Sequence, residues 1–283
     1  VAEGGGTFGG RVVFAVDFDH EVINPYELYS SRINYYTHDS AQTVSINVGG
    51  SLVEIDLAAV TSEAMAEWQA ELGHGIAFQA SSLANADLEI MVDDQYRGVN
   101  LAQAYEKNVD RKARLKYFPR SIEKLLNEQM DVIKRFMGND ASNEGILKFL
   151  FKYAAKHELG HVLGFEHVDF TAMDTRPGTA GGLVIIPRYS RATIPIMTSN
   201  LIGYMRALHD YNGRGTIDAT DIAISAQEGA ALSSLYEATL AGCSCCVPNN
   251  RRASRADLRD PASCPYFNYS VPGVAYEGLN LSD

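Results

Sequence analysis

Apolar and polar positions sort the chain into a series of short elements. Residues 11–18 are rich in β-branched and aromatic side chains and follow a glycine tract, which predicts a strand. Residues 43–57 alternate apolar with polar and break at Gly49-Gly50, the pattern of a hairpin. Thr61, Ser62 and Glu63 then open a helical pattern with Ala64, Met65, Trp68 and Leu72 on one face. Gly73–Gly75 closes it, and Ile76–Phe78 and Leu88–Val92 read as two further strands. From Glu144 the positions Ile146, Leu147, Phe149, Leu150, Tyr153 and Ala154 predict a helix running into His157 and His161, with Gly164 as its stop.

Residues 105–143 differ in character. They hold nine Lys or Arg and six Asp or Glu, with Leu125, Met130, Ile133 and Phe136 or Met137 at helical spacing. This predicts a solvated amphipathic helix inserted between core elements, the other reading being a partner or substrate surface. Gly138–Asn143 is a turn cluster, and a later helix is expected over Asp221–Ser234. No internal repeat interrupts the pattern.

Composition narrows the classes. The 283 residues are 46% hydrophobic and 21% charged, ordinary globular values that exclude a disordered, collagen-like or coiled-coil chain. A formal charge of -11 disfavours binding to a nucleic-acid backbone. The tightest apolar cluster, Leu183–Ile186, is far too short to span a membrane. The start, Val1–Gly6, has neither a basic nor an apolar leader region and reads as the beginning of a processed chain or as a product of preparation. All four cysteines fall near the end: Cys243, Cys245, Cys246 and Cys264. Two disulfides in an exported protein is the favoured reading, and four reduced thiols the other. The spacing is poor for a zinc site. Residues 243–283 are expected as an irregular tail packed on the main domain, which spans 1–242.

The run with chemical content is His157, Glu158, His161, Gly164 and His167. Histidines at i and i+4 share one helix face, so their imidazoles can converge on one ion. Glu158 emerges beside that ion, where a general base for metal-bound water belongs. Gly164 lets the chain turn so that His167 can supply a third nitrogen, and three protein ligands leave one zinc position open.

These residues resemble the H-E-x-x-H-x-x-G-x-x-H motif of the metzincin clan of zinc metalloendopeptidases. The resemblance implies zinc ligands His157, His161 and His167, with Glu158 as general base and acid. It also implies a buried Met-turn whose thioether lies beneath the metal without binding it. Met197, in the apolar lead-in Ile194-Pro195-Ile196, is favoured for that role over Met173. A tyrosine of the clan approaches zinc beyond the Met-turn; Tyr204 and Tyr211 are available here, without the expected spacing. Val168, after the third histidine, matches no subfamily, so substrate preference is not carried over.

A second metal template overlies Asp210, Asn212, Asp218 and Asp221, the oxygen positions of a calcium loop with Gly215 at its sharp turn. Arg214 and the short Asp221 depart from that template, and the other reading is a turn followed by a helix capped by Asp218. His20, His38, His74 and His209 read as ordinary surface or core histidines.

Together these observations predict an α+β, metzincin-like catalytic domain with a twisted mixed sheet, an active-site helix over about 144–163, a helical insertion over about 105–143 and a C-terminal subdomain. The expected protein is a secreted, monomeric zinc endopeptidase acting on protein or peptide substrates, with calcium as a further ion if the second template is real. Readings from other classes are a catalytically latent zinc-containing binding or adhesion protein, and a hydrolase of a non-protein amide such as a cell-wall peptide.

Overall fold

The computed structural model describes residues 11–15, 32–72, 77–98, 100–105, 112–163, 182–186, 194, 196–197, 200–225 and 228–229. The architecture is α+β with a mixed sheet. Strand β1 (Arg11–Ala15) pairs antiparallel with β9 (Gly182–Ile186). The main sheet has five strands in the order β5-β2-β6-β8-β7. Within it β2 (Arg32–Thr37), β5 (Ala77–Ala80), β6 (Leu88–Val92) and β8 (Ala113–Tyr117) run parallel to one another. The edge strand β7 (Ala102–Tyr105) is antiparallel to β8.

The expected hairpin forms as β3 (Thr43–Val48) and β4 (Ser51–Asp56). Gly49 and Gly50 both have positive φ, 59° and 86°, as a two-residue turn matched to strand twist requires. The following helix α1 (Leu57–Leu72) begins one turn before the expected Thr61. The cause is Asp56, whose carboxylate accepts from the Ala59 amide at 2.8 Å and so caps a helix start that the Thr-Ser-Glu triplet masks.

The stretch expected as a helical insertion contributes a strand as well. Residues 113–117 form β8, which pairs β6 with the edge strand, and helix α2 (Pro119–Met137) follows. Its buried face is Ile122, Leu126, Ile133 and Met137, while Leu125, Met130 and Phe136 are only partly covered. The register differs because Pro119 opens the helix at its first turn, where a missing amide costs nothing.

Helix α3 (Asn143–Leu163) matches its expected span. From Ile146 on, every residue except Lys148 is buried, so the helix runs through the interior instead of lying on it. It packs on α1 and against β4, β7 and β8. Two lysines spaced four apart, Lys152 and Lys156, meet two glutamates spaced four apart on α1: Lys152 Nζ lies 2.5 Å from Glu63 and 3.0 Å from Glu67, and Lys156 also pairs with Glu67. Lys156 is fully buried and donates to the Ile222 carbonyl at 2.5 Å. Burial pushes its ammonium below the usual lysine range, and Glu67 partly offsets this.

Helix α4 (Leu201–Asn212) follows, capped by the Asn200 side chain. The helix expected over Asp221–Ser234 differs at its start: Ala219–Asp221 is a short 3-10 turn, Ile222–Ser225 carry no helix, and within the expected span Glu228 and Gly229 are helical, while 226–227 and 230–234 lie outside the described residues. Asp218 caps that turn through Thr220, and Asp221 returns the bond by accepting from Asp218 at 2.8 Å. Among the described residues no helix is long and apolar enough to cross a membrane. The cysteine-containing tail, 243–283, lies outside the described residues, and so do the two disulfides expected there.

Trp68 fastens α1 to α3. Its ring is fully buried and its indole N–H donates to the Lys156 carbonyl at 2.9 Å. Trp68→Ala is expected to lower unfolding stability by about 3–5 kcal/mol, the cost of emptying a large aromatic site. Urea melts followed by far-UV circular dichroism will read this, and a loss under about 1 kcal/mol would contradict the anchoring role.

Candidate functional site

The last two turns of α3 bring His157 and His161 together. Both are buried, at 5% and 8% exposure. Their Nε2 atoms stand 3.2 Å apart, and their rings meet edge to face with centroids 4.9 Å apart. His157 Nδ1 lies 2.9 Å from the Ile196 carbonyl. A carbonyl only accepts, so Nδ1 carries the proton in the neutral ring and Nε2 keeps its lone pair. Tyr153 stacks on His157 at 5.6 Å and fixes the ring from the other side.

Glu158 is buried on the same turn, and its Oε2 accepts from the Ala104 amide of the edge strand β7 at 2.6 Å. Burial raises its carboxyl to about 7, net of that amide bond, which lowers it. The group therefore sits near its protonation midpoint at neutral pH and is tied to the strand beside it.

Met197 is fully buried against α3. A β-carbon placed on Gly160 would collide with its sulfur and stand 3.2 Å from the Trp68 ring. Gly160 is thus the position that admits the thioether next to the helix backbone between the two histidines. The backbone around Met197 is held by Glu228, which sequence reasoning missed. Its carboxylate accepts from the amides of Ile196 at 3.2 Å, Met197 at 3.1 Å and Ser225 at 2.9 Å. Burial raises the Glu228 carboxyl to about 7 against the pull of those amides. No sequence signal marks it, because an acid between Gln227 and Gly229 looks like any surface glutamate.

The remaining expected residues are placed as follows. His167 and Met173 lie outside the described residues. Tyr204 is fully buried but packs on Tyr153 at 5.0 Å, one layer behind His157. Tyr211 is on α4, and its side chain is outside the described atoms. Asp210 and Asn212 fall in the last turn of α4. Arg214 pairs with Asp218 at 3.6 Å and with Asp221, so a guanidinium stands among the would-be calcium carboxylates.

No protein-family profile matches the chain, and no curated protein matches it. Among solved structures it is similar to a chain of the "GM1 bound form of the ECX AB5 holotoxin". That match has a TM-score of 0.62 and 21% identity, and covers 80% of this chain and 88% of the other. At that identity the likeness shows the fold.

The comparison corrects the expected function. The fold is shared with a component of a toxin assembly described with a bound ligand, so it does not define a peptidase. Among the described residues no three His, Cys, Asp or Glu side chains gather to hold a metal. The assignments as zinc endopeptidase, hydrolase and metalloprotease are withdrawn, and with them the peptide substrate.

Two outcomes follow from the packing. Gly160→Ala is expected to cost about 1–3 kcal/mol, as overpacking does, and Met197→Ala in the same chain to recover part of it. Additive losses in urea melts would contradict the contact. Glu158 and Glu228 each hold a proton in the folded chain, up to about pH 7, that the unfolded chain releases near 4.5. Stability should therefore fall as pH rises from about 5 to about 8, by on the order of 3 kcal/mol per group. Glu228→Gln should flatten this slope in thermal melts; an unchanged slope would remove Glu228 as its source.

Proposed function

We propose that this chain is a catalytically latent, zinc-containing binding protein that works as a secreted component of a toxin-like assembly. The observation that carries the metal part is the 3.2 Å separation of the His157 and His161 Nε2 atoms. Two nitrogens on a tetrahedral zinc at about 2.0–2.1 Å each stand about 3.3 Å apart, so the pair fits that ion before it arrives. The Ile196 carbonyl supports it by fixing the His157 tautomer, as outer partners of ligating imidazoles do. His167 would complete the donor set and leave one corner for a ligand group. When bound, zinc would supply a Lewis-acidic point of attachment.

In this reading Glu158 serves the fold, its Oε2 holding the edge strand through the Ala104 amide. The assembly reading is supported by the fold shared with a chain of an AB5 holotoxin described in its GM1-bound form. The finer fold assignment, a metzincin-like arrangement with a histidine-bearing helix beneath a mixed sheet, belongs to the same proposal. It rests on the order of β2 to α3 and the motif at the end of α3. Export is consistent with cysteines confined to one end.

Metal analysis of the purified chain is expected to give one zinc per chain, lost in His157→Ala and in His161→Ala while circular dichroism is unchanged. The same zinc-loaded protein should leave casein and mixed peptides intact. Zinc-free wild-type protein after zinc dialysis would overturn the metal reading. Cleavage that a chelator stops would overturn the latent binding reading.

A further inference from the structure

A cavity of about 550 Å³ opens at the carboxyl ends of β2 and β5, beside the first turns of α1. Its volume falls in the roughly 300–1,000 Å³ range of small-molecule sites. It shares no lining residue with the histidine pair. Tyr35 and Thr37 come from β2, Gln42 precedes the hairpin, Asp56 and Ser62 flank the start of α1, and Ser81 follows β5. Met65 and Ile90 give it an apolar floor.

The chemistry of the wall selects its occupant. Thr61 is spent: its hydroxyl donates to the Leu57 carbonyl at 2.7 Å and meets the Tyr117 hydroxyl at 2.8 Å. Asp56 uses one oxygen on the Ala59 amide. That bond fills the helix start from which an anion would draw its stabilisation, and places a negative charge there. Among the described lining residues there is no Lys, Arg or His, so phosphate and carboxylate ligands meet repulsion without compensation. Tyr35, Thr37, Gln42 and Ser62 have side chains that both donate and accept, and within the described residues none makes a side-chain hydrogen bond. An uncharged ligand with many hydroxyls and one apolar face matches hydroxyl, amide and aromatic groups set around a methionine and an isoleucine.

We propose that this cavity is a binding site for a neutral oligosaccharide, with Tyr35 as the ring against the sugar's apolar face and Gln42, Ser62 and the second oxygen of Asp56 as hydrogen-bond partners. The site is independent of the zinc reading.

Calorimetric titration of the full chain with lactose, maltotriose and chitotriose, and separately with sialyllactose and inorganic phosphate, tests it. At least one neutral sugar is expected to bind with Kd below about 1 mM, with chelator present or absent. Gln42→Ala and Ser62→Ala, both exposed and tolerant positions, should each weaken it about threefold to tenfold, the loss of one neutral hydrogen bond. Tyr35→Phe should keep most of the affinity, since the ring remains. Absence of binding by all three neutral sugars at about 10 mM would overturn the proposal, as would tighter binding of phosphate or sialyllactose, or unchanged affinity in the Gln42→Ala, Ser62→Ala double variant. Wild-type protein that takes up no zinc on dialysis yet binds a neutral sugar would overturn the metal reading and leave this site standing.

Discussion

Helix α3 carries Lys152, Lys156, His157, Glu158 and His161 into the interior, and burying each of those groups is costly unless it finds a partner. The partners come from different parts of the chain: Glu63 and Glu67 on α1, the Ile222 carbonyl beyond α4, the Ile196 carbonyl, and the Ala104 amide on β7. The same bonds that make the helix tolerable inside therefore fix its rotation and depth. A rotation of α3 that separated Lys156 from Glu67 would also move His157 from Ile196. The site geometry and the core packing are one constraint.

Much of this was legible in the sequence where period and punctuation agree. The Gly49-Gly50 turn, the strands around Phe78 and Ile90, and the span of α3 follow from alternation, paired glycines and a long apolar helix. The failures have local causes. The start of α1 is set by Asp56, a single capping side chain at the end of a strand, whereas the Thr61 triplet offers a false start one turn later. Residues 113–117 were hidden because their outward positions, Arg114 and Lys116, make a strand look like part of a charged helix. The helix expected from Asp221 starts later, because the capping bonds of Asp218 close a single 3-10 turn there and the described helical residues are Glu228 and Gly229.

The candidate site was legible as a motif and illegible as an environment. Spacing alone puts His157 and His161 on one face, and the structure adds the facing Nε2 atoms. Spacing says nothing of what surrounds Glu158, and the environment changes its chemistry: a buried carboxyl raised to about 7 and bonded to a strand amide is a different reagent from a solvated one. Glu228 shows the same limit from the other side, since its role in pinning Ile196 and Met197 depends on contacts about thirty residues away.

Fold and site then carry separate weight. A fold shared at 21% identity says which elements surround α3, and leaves open what they serve. The imidazoles are held by the protein itself: Tyr153 stacks one ring, the Ile196 carbonyl orients it, and Gly160 admits Met197 against the intervening turn. Preorganisation of this kind lowers the ordering cost of capturing an ion or a ligand group, and it is equally useful to a protein that holds its ligand and to one that transforms it. What separates the two is the freedom of the neighbouring carboxylate. Glu158 is tied to β7 through Oε2 alone, so the edge strand fixes where that carboxyl stands while its other oxygen is left to the site.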